Sequence, residues 1–292
     1  MIDVIIPVYS AYDDVVRCVA SARRHAGADC RIVLIDDASP DVRIKSLFLE
    51  LEREGDSRML FLANAINTGF VGTVNRGMSL SRNDIVLLNS DTITTSRWLE
   101  KIQRCANSSP QIGTITPFSN NAEICSFPVF CQNNPLDGVD IERINQAMEK
   151  AAVPAYPDIP TAVGFCMFIR RGLLDAIGLF DAESFGRGYG EENDFCMRAM
   201  KAGYRNVLCD DTFVAHVGSQ SFTDQTQALK ERNSQVLFAK HPEYLGLVQR
   251  FIAADPIAPI RERVQARLAM RSQRPAWATA ISRLFSGRDS GG

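Results

Sequence analysis

The chain has 292 residues, 46% of them hydrophobic and 23% charged, so it can bury a sizeable core and is neither a disordered nor a fibrous sequence. Its 32 Lys and Arg against 34 Asp and Glu leave a formal charge of −2, which excludes a global attraction to nucleic acid. The eight cysteines form no C-x-x-C pair, the spacing expected of a zinc or dithiol site, and most lie in apolar contexts as reduced core thiols do. The N-terminal Met1-Ile2-Asp3-Val4-Ile5-Ile6-Pro7 lacks the basic start and apolar length of a signal peptide, and no run approaches the roughly 18–20 apolar residues of a membrane span. A reducing cytoplasm is the expected location.

From the N-terminus, short β-branched runs alternate with segments of helical period. Val4–Val8 reads as a strand ending in Pro7-Val8-Tyr9-Ser10, followed by a helix over Tyr12–His25 that buries Val15, Val16, Val19 and Ala22. A second strand, Arg31–Ile35, ends in Asp36-Asp37-Ala38-Ser39. Two adjacent acids cannot both be charged and buried cheaply, so at least one should meet a polar ligand or water. A carboxylate can accept the ring N–H of uracil or thymine, and capping the next helix is the alternative.

The third strand, Met59–Leu62, leads into Asn67-Thr68-Gly69-Phe70-Val71-Gly72-Thr73-Val74-Asn75-Arg76-Gly77, a Gly-rich turn entering a helix over Gly72–Leu80. Backbone N–H groups at such a helix start can grip a phosphate, although the dinucleotide G-x-G-x-x-G spacing is absent and a plain helix start explains the run as well. The fourth strand, Ile85–Leu88, ends in Asn89-Ser90-Asp91-Thr92. One aspartate at the tip of a buried strand offers an oxygen ligand to Mg²⁺ or Mn²⁺, with a diphosphate completing the shell; an Asx-type turn is the alternative. Thr94-Thr95-Ser96 then supplies cap candidates for a helix over Arg97–Ala106.

After a strand at Gly113–Thr116 the pattern loosens from Phe118 to Pro160 around one helix, Ile141–Ala151, and a loop that long is usually functional. A strand at Cys166–Ile169 precedes Phe185-Gly186-Arg187-Gly188-Tyr189-Gly190 and a helix, Glu191–Ala202, that opens on Glu191, Glu192 and Asp194. These acids suit the helix dipole, and the glycines before them would let the helix tip approach a substrate closely enough for a general base. A strand at Asn206–Cys209, His216 before a polar loop and a helix over Gln225–Lys240 complete this part. Strand and helix in alternation give an α/β fold with a mostly parallel central sheet flanked by helices, whose ligands bind at the carboxyl ends of the strands.

Taken in order, Ile5-Ile6-Pro7-Val8-Tyr9, Asp36-Asp37-Ala38-Ser39, Asn67-Thr68-Gly69-Phe70 through Asn75-Arg76-Gly77, Leu87-Leu88-Asn89-Ser90-Asp91-Thr92, Gly164-Phe165-Cys166-Met167 and Glu191-Glu192-Asn193-Asp194 with His216 resemble family 2 glycosyltransferases. Among these the chain resembles bacterial polysaccharide and O-antigen-type enzymes such as rhamnosyltransferases. The resemblance implies a GT-A fold over residues 1–222, with a helical C-terminal extension over 223–292 packed on or trailing from it. It also implies a UDP- or dTDP-sugar donor, a glycan or lipid-linked glycan acceptor, Mg²⁺ or Mn²⁺, and inversion at the anomeric carbon. By the same resemblance, Pro7, Tyr9 and Asp37 would cradle the nucleobase, Asn67, Gly69 and Asn75 would lie near the nucleoside, and Ser90 would belong to the donor site. Asp91 is similar to the last acid of the family's D-x-D element and His216 to its later metal ligand, so those two would hold the ion. Glu192 matches the catalytic carboxylate, with Glu191 and Asp194 as rivals. Asn89 stands where the first acid of D-x-D is usual, which shifts the metal's weight onto Asp91 and His216.

Acceptor contacts are expected from the 118–160 loop and from Phe185, Arg187 and Tyr189, whose rings could equally be core. The tail carries Arg261, Arg263, Arg267, Arg271, Arg274, Arg283 and Arg288 with Val264, Leu268, Trp277, Ile281, Leu284 and Phe285, a pattern suited to anionic lipid, to a partner or to a solvated helix. Two other functions fit less well. A nucleotidyltransferase needs a Gly-rich basic turn after the first strand, which Val8-Tyr9-Ser10-Ala11 is not, and a nonenzymatic binding relative has no need of Asp91, Glu192 and His216 together.

Overall fold

The computed structural model describes residues 1–151, 153–218 and 224–272. The first half contains β1 (Ile2–Val8), α1 (Tyr12–His25), β2 (Cys30–Asp36), α2 (Val42–Arg53), β3 (Met59–Ala63), α3 (Gly69–Leu80), β4 (Asp84–Leu88), β5 (Thr92–Thr94), α4 (Trp98–Ser108) and β6 (Ile112–Phe118). A 3-10 turn (Glu123–Cys125) leads to α5 (Ile141–Ala151), β7 (Cys166–Ile169), α6 (Arg171–Ile177), α7 (Ala182–Phe185), α8 (Glu191–Lys201), β8 (Arg205–His216), α9 (Asp224–Lys240), α10 (Tyr244–Ala254) and α11 (Ala258–Ser272).

The sheet runs β3-β2-β1-β4-β7-β6-β8-β5. The pairs β2–β3, β1–β2, β1–β4 and β6–β8 are parallel, while β7 is antiparallel to both its neighbours and β5 to β8. Strands covered on both faces need apolar residues on both, and β1 shows it: Val4, Ile6 and Val8 join α1, α2 and α4 in one core, while Ile5 joins α3 and α8 in the other. Gly77 brings α3 close to β1, since a Cβ there would lie 2.7 Å from Ile5 Cγ2. Asp3, fully buried on β1, keeps its charge through Arg31 at 2.6 Å, Ser81 at 2.6 Å and Asn83 at 3.2 Å.

Three local expectations are corrected. The last long strand continues past Cys209 to His216, because Asp210, Asp211 and Thr212 are buried and bonded inside the sheet, with Asp210 accepting from the Ala155 N–H at 3.1 Å. Thr94-Thr95-Ser96 does not cap α4: the Thr95 hydroxyl donates to the Phe213 carbonyl, the Ser96 N–H to Glu142 at 2.8 Å, and the helix starts after Arg97 without a side-chain cap. The start of the basic tail is not a free lipid-facing surface. Arg261 is buried, bound to Asp255 and seated over the Phe130 ring, while Val264 is buried and Leu268 packs on the core, so α11 lies against α5.

Arg263 and Arg267 are exposed, and Arg274, Trp277, Ile281, Arg283, Leu284, Phe285 and Arg288 lie outside the described residues. Helix α9 packs on α7 and α8, and α10 on α9, so the C-terminal helices cover the domain rather than stand apart. No described helix is long and apolar enough to cross a membrane. All the cysteines are free thiols, buried except Cys131.

Candidate functional site

The chain order reverses between β1 and β4, which are neighbours in the sheet although β2 and β3 intervene in sequence. At the carboxyl ends of these two strands lies a cavity of about 630 Å³, the place where open α/β sheets bind ligands. Its walls are Pro7 near the end of β1 and Tyr9 just after it, Asp37 after β2, Asn67 before α3 and Gly69 at its start, and Ser90 and Asp91 after β4. A second cavity of about 590 Å³ adjoins it, sharing Phe70, Asn89 and Arg187, and is walled by Glu191 and Glu192 at the tip of α8, by His216, and by Lys230 and Ser234 of α9. The two form one cleft with Arg187 at its waist.

In the first cavity Asp37 is nearly buried and accepts from the Asn64 amide at 2.7 Å, the Thr68 N–H at 2.8 Å and hydroxyl at 3.0 Å, and the Gly69 N–H at 2.8 Å. Burial opposes its charge, but these donors outweigh it and hold the carboxyl below its ordinary value. Asp37 therefore fixes the turn into α3 as well as lining the pocket. Gly69 has φ +77° and would place a Cβ 2.9 Å from the Arg187 Cα, so only glycine lets the 185–190 loop sit on this turn. Arg187 also donates to the Asn67 side chain.

Asn75 is a correction. It does not line the first cavity, since its amide donates to the Phe180 carbonyl at 2.9 Å and accepts from the Phe180 N–H at 3.1 Å. Its position further along α3 aims it at the chain before α7.

Asp91 and His216 meet because β5 pairs with the end of β8, opposing Thr92 to His216. His216 Nε2 lies 3.4 Å from Asp91 Oδ1, and Nδ1 lies 2.8 Å from the Asn121 carbonyl, so Nδ1–H donates there and Nε2 faces the carboxylate. The ring stacks on Phe165 at 5.3 Å. Burial disfavours the imidazolium, but bonding and Coulombic attraction to Asp91 outweigh it and raise the His216 pKa above 6.5. An imidazole nitrogen and a carboxylate oxygen this close can share one divalent ion. The described residues hold no group of three His, Cys, Asp or Glu that could form a closed metal cage, so any ion here would take its remaining ligands from water or a diphosphate. The donor set fits Mg²⁺ or Mn²⁺ on those terms.

The three acids of α8 have different surroundings. Asp194 is fully buried and bound to Arg198 at 2.7 Å, His241 at 2.9 Å and Lys240 at 3.1 Å. It anchors the end of α9 and does not line either cavity, so it is corrected from rival base to structural anchor. Glu191 and Glu192 face the second cavity and interact with each other. Burial and the neighbouring Glu192 charge push Glu191 well above 4.5, favouring its protonated form. Burial, with Glu123 adding to it, pushes Glu192 up to about 7, while the Gly190 N–H at 3.2 Å and Glu191 favour its ionised form.

Of the expected acceptor residues, Arg187 and Tyr189 line the second cavity, but Phe185 is fully buried beneath Gly190 and belongs to the core. Residues that the sequence pattern did not single out complete the wall: Glu123 from the long loop, and Lys230, Ser234, Phe238 and Tyr244 from the C-terminal helices. Asn233, fully buried on α9, donates to the carbonyls of Phe185 at 2.9 Å and Gly188 at 2.7 Å, which fixes the loop carrying Arg187 and Tyr189. Asn233→Asp keeps the size and removes both donors, so it should cost about 2–4 kcal/mol of stability. Hydrogen exchange should then quicken at residues 185–190, and unchanged exchange there would remove Asn233 as the clasp.

The Glycosyl transferase family 2 model matches residues 3–178. Over a stretch of 67 residues the chain is 31% identical to the uncharacterized protein Rv1525 of Mycobacterium tuberculosis and to Mb1552 of Mycobacterium bovis, covering 23% of this chain and 26% of each relative. The chain thus spans only about a quarter of those curated relatives. Solved structures that share its fold include the following two. One is the mannosyltransferase PcManGT from Pyrobaculum calidifontis in complex with GDP-Man and Mn²⁺, at TM-score 0.60 and 15% identity over 98% of this chain and 79% of that one. The other is GalNAc-T7 with UDP, GalNAc and Mn²⁺, at TM-score 0.63 and 15% identity over 91% of this chain and 54% of that one. With the family model matching more than half of its length, including β1 to β4, whose carboxyl ends frame the first cavity, this chain belongs to glycosyl transferase family 2 and has the GT-A fold.

Proposed function

We propose that the protein is an inverting glycosyltransferase that moves a sugar from a nucleotide-sugar donor to a hydroxyl of a glycan or lipid-linked glycan. The observation that carries this reading is a single cleft with the Asp91–His216 pair on its donor side and the Glu191–Glu192 tip on the other. The nucleoside lies along Pro7, Tyr9 and Asp37, and the diphosphate reaches toward Asp91 past the Arg187 guanidinium. Asn67, Gly69 and Ser90 complete that wall. A divalent ion bound by Asp91 and His216 would neutralise charge on the departing nucleoside diphosphate.

Glu192 removes the proton of the attacking acceptor hydroxyl, and Glu191, kept protonated, holds Glu192 in its ionised form. Thermal stabilisation by UDP-, dTDP- and GDP-sugars with and without Mn²⁺ or Mg²⁺ tests donor binding, and transfer or donor hydrolysis by the stabilising sugar tests catalysis. A chain that none of these sugars stabilises would sink the donor reading.

The Glu192 environment also sets the expected pH dependence. The base works only when ionised, so at saturating donor and metal the rate should fall about tenfold per pH unit on the acid side of a limb near pH 7, and level off above it. Metal affinity should weaken in the same direction, because protonation of His216 competes with the ion. An acid limb near the ordinary glutamate value of 4.5, with metal saturated throughout, would remove Glu192 from this role.

A further inference from the structure

The second cavity contains two charged side chains to which the mechanism above assigns no step. Glu123 enters it from the 3-10 turn after β6, and Lys230 from α9. Glu123 has φ +46°, a conformation a glutamate adopts only when its surroundings impose it, and its carbonyl is pinned by the N–H groups of Ser126 at 3.0 Å and Cys131 at 3.2 Å. Its side chain opens to the cavity although protein crowds around it, and that crowding raises its carboxyl pKa against the pull of Lys230. The charges of Glu123 and Glu192 also act on each other. Around them stand the half-exposed rings of Tyr189 and Phe238, the latter stacked on Tyr244 at 6.4 Å.

We propose that Glu123 and Lys230 form the acceptor-selecting pair of the cleft, and that this subsite takes an uncharged sugar unit and rejects units bearing a carboxylate, phosphate or sulfate. The proposal rests on the glycosyltransferase reading above. An ionised carboxylate only accepts hydrogen bonds and an ammonium only donates them, so the pair can bind sugar hydroxyls in both senses while the rings cover an apolar sugar face. Two cations stand among the described residues of the cavity lining: Lys230 is seated over the Tyr189 ring at 4.8 Å, and Arg187 is turned to Asn67 on the donor side, where the diphosphate would take up its charge. An anionic group beside the attacking hydroxyl would therefore meet Glu123 and Glu192 with no further Lys or Arg among the described lining residues, a like-charge juxtaposition that interfaces use to exclude wrong partners.

The test uses the full chain with Mn²⁺ and UDP or GDP, whichever stabilises it, and saturation-transfer NMR with methyl β-glucoside, galactoside, mannoside and glucuronide as probes. The wild type should give saturation transfer to at least one neutral glycoside and at least tenfold weaker binding of the glucuronide. Glu123→Lys should shift that ratio toward the glucuronide by an order of magnitude, and Glu123→Gln should weaken the neutral glycoside severalfold, while nucleotide affinity in both stays as in the wild type. Equal binding of glucuronide and neutral glycosides by the wild type, an unchanged ratio in Glu123→Lys, or binding of no glycoside by a chain that does bind nucleotide would each overturn the proposal. Failure to bind any nucleotide with Mn²⁺ would instead overturn the glycosyltransferase reading on which it depends.

Discussion

Glu192→Gln is expected to lower the transfer rate by about two to four orders of magnitude, the range removed with a positioned general base. Its affinity for nucleotide and metal should stay within about twofold of the wild type. The amide keeps the shape and the contact with the Gly190 N–H is lost only in part, so the helix tip should stay in place. What disappears is the proposed proton acceptor. Glu191→Gln should retain far more activity, because in the proposed mechanism Glu191 supports the ionised state of its neighbour rather than taking the proton. Asp194→Asn should act on a third quantity. It weakens a buried carboxylate's hold on Arg198, His241 and Lys240, so its main effect should be a lower melting temperature. Transfer rate, nucleotide titration and melting curves on these three variants separate the roles, and near-normal turnover by Glu192→Gln would end its assignment as base.

Asp91→Asn and His216→Ala should each lower Mn²⁺ affinity by at least about a hundredfold, since even outer partners of metal ligands are worth 10–100-fold. The stabilisation that donor and metal jointly give the wild type should fall away with it. Stabilisation by a ligand at a hundred times its Kd is about 2.7 kcal/mol, so the lost shift is readily measured. The two variants should resemble each other more than their separate surroundings suggest, because either leaves a single protein ligand. Asn121 donates no side-chain contact to the imidazole; its carbonyl fixes the ring, so the expected losses come from the ligands themselves. Calorimetric titration of Mn²⁺ in the presence of UDP measures them, and wild-type affinity in both variants would dissolve the proposed metal pair.

How much of this was legible in the chain differs from element to element. The apolar runs before Pro7, Asp36, Asn64 and Asn89 locate β1 to β4 to within a residue or two, because strands covered by helices carry few polar residues and so stand out. β5 did not stand out. It is three residues long, too short for a period, and exists because the end of β8 lies beside it. The helix over Gln225–Lys240 was legible as α9, but its part in the site was not: it has no clean apolar face, yet it supplies Lys230 and Ser234 to the cleft and Asn233 to the loop that carries Arg187.

By itself, the sequence determined the sheet's buried strands, the acidic tip of α8 and the residue types at the strand ends, since each follows from local pattern and composition. Tertiary structure alone decided which of those residues share a cleft. β5–β8 pairing brings His216 to Asp91, packing beneath Gly190 turns Phe185 inward, Phe180 claims Asn75, and Arg198, Lys240 and His241 claim Asp194. Glu123 enters the cleft only because a pinned, unfavourable backbone conformation aims it there. The physical reason is common to all of them. Local pattern fixes what a segment can form, whereas a side chain's partner depends on contacts between segments distant in sequence, whose hydrogen bonds and charges are satisfied only once the fold is closed.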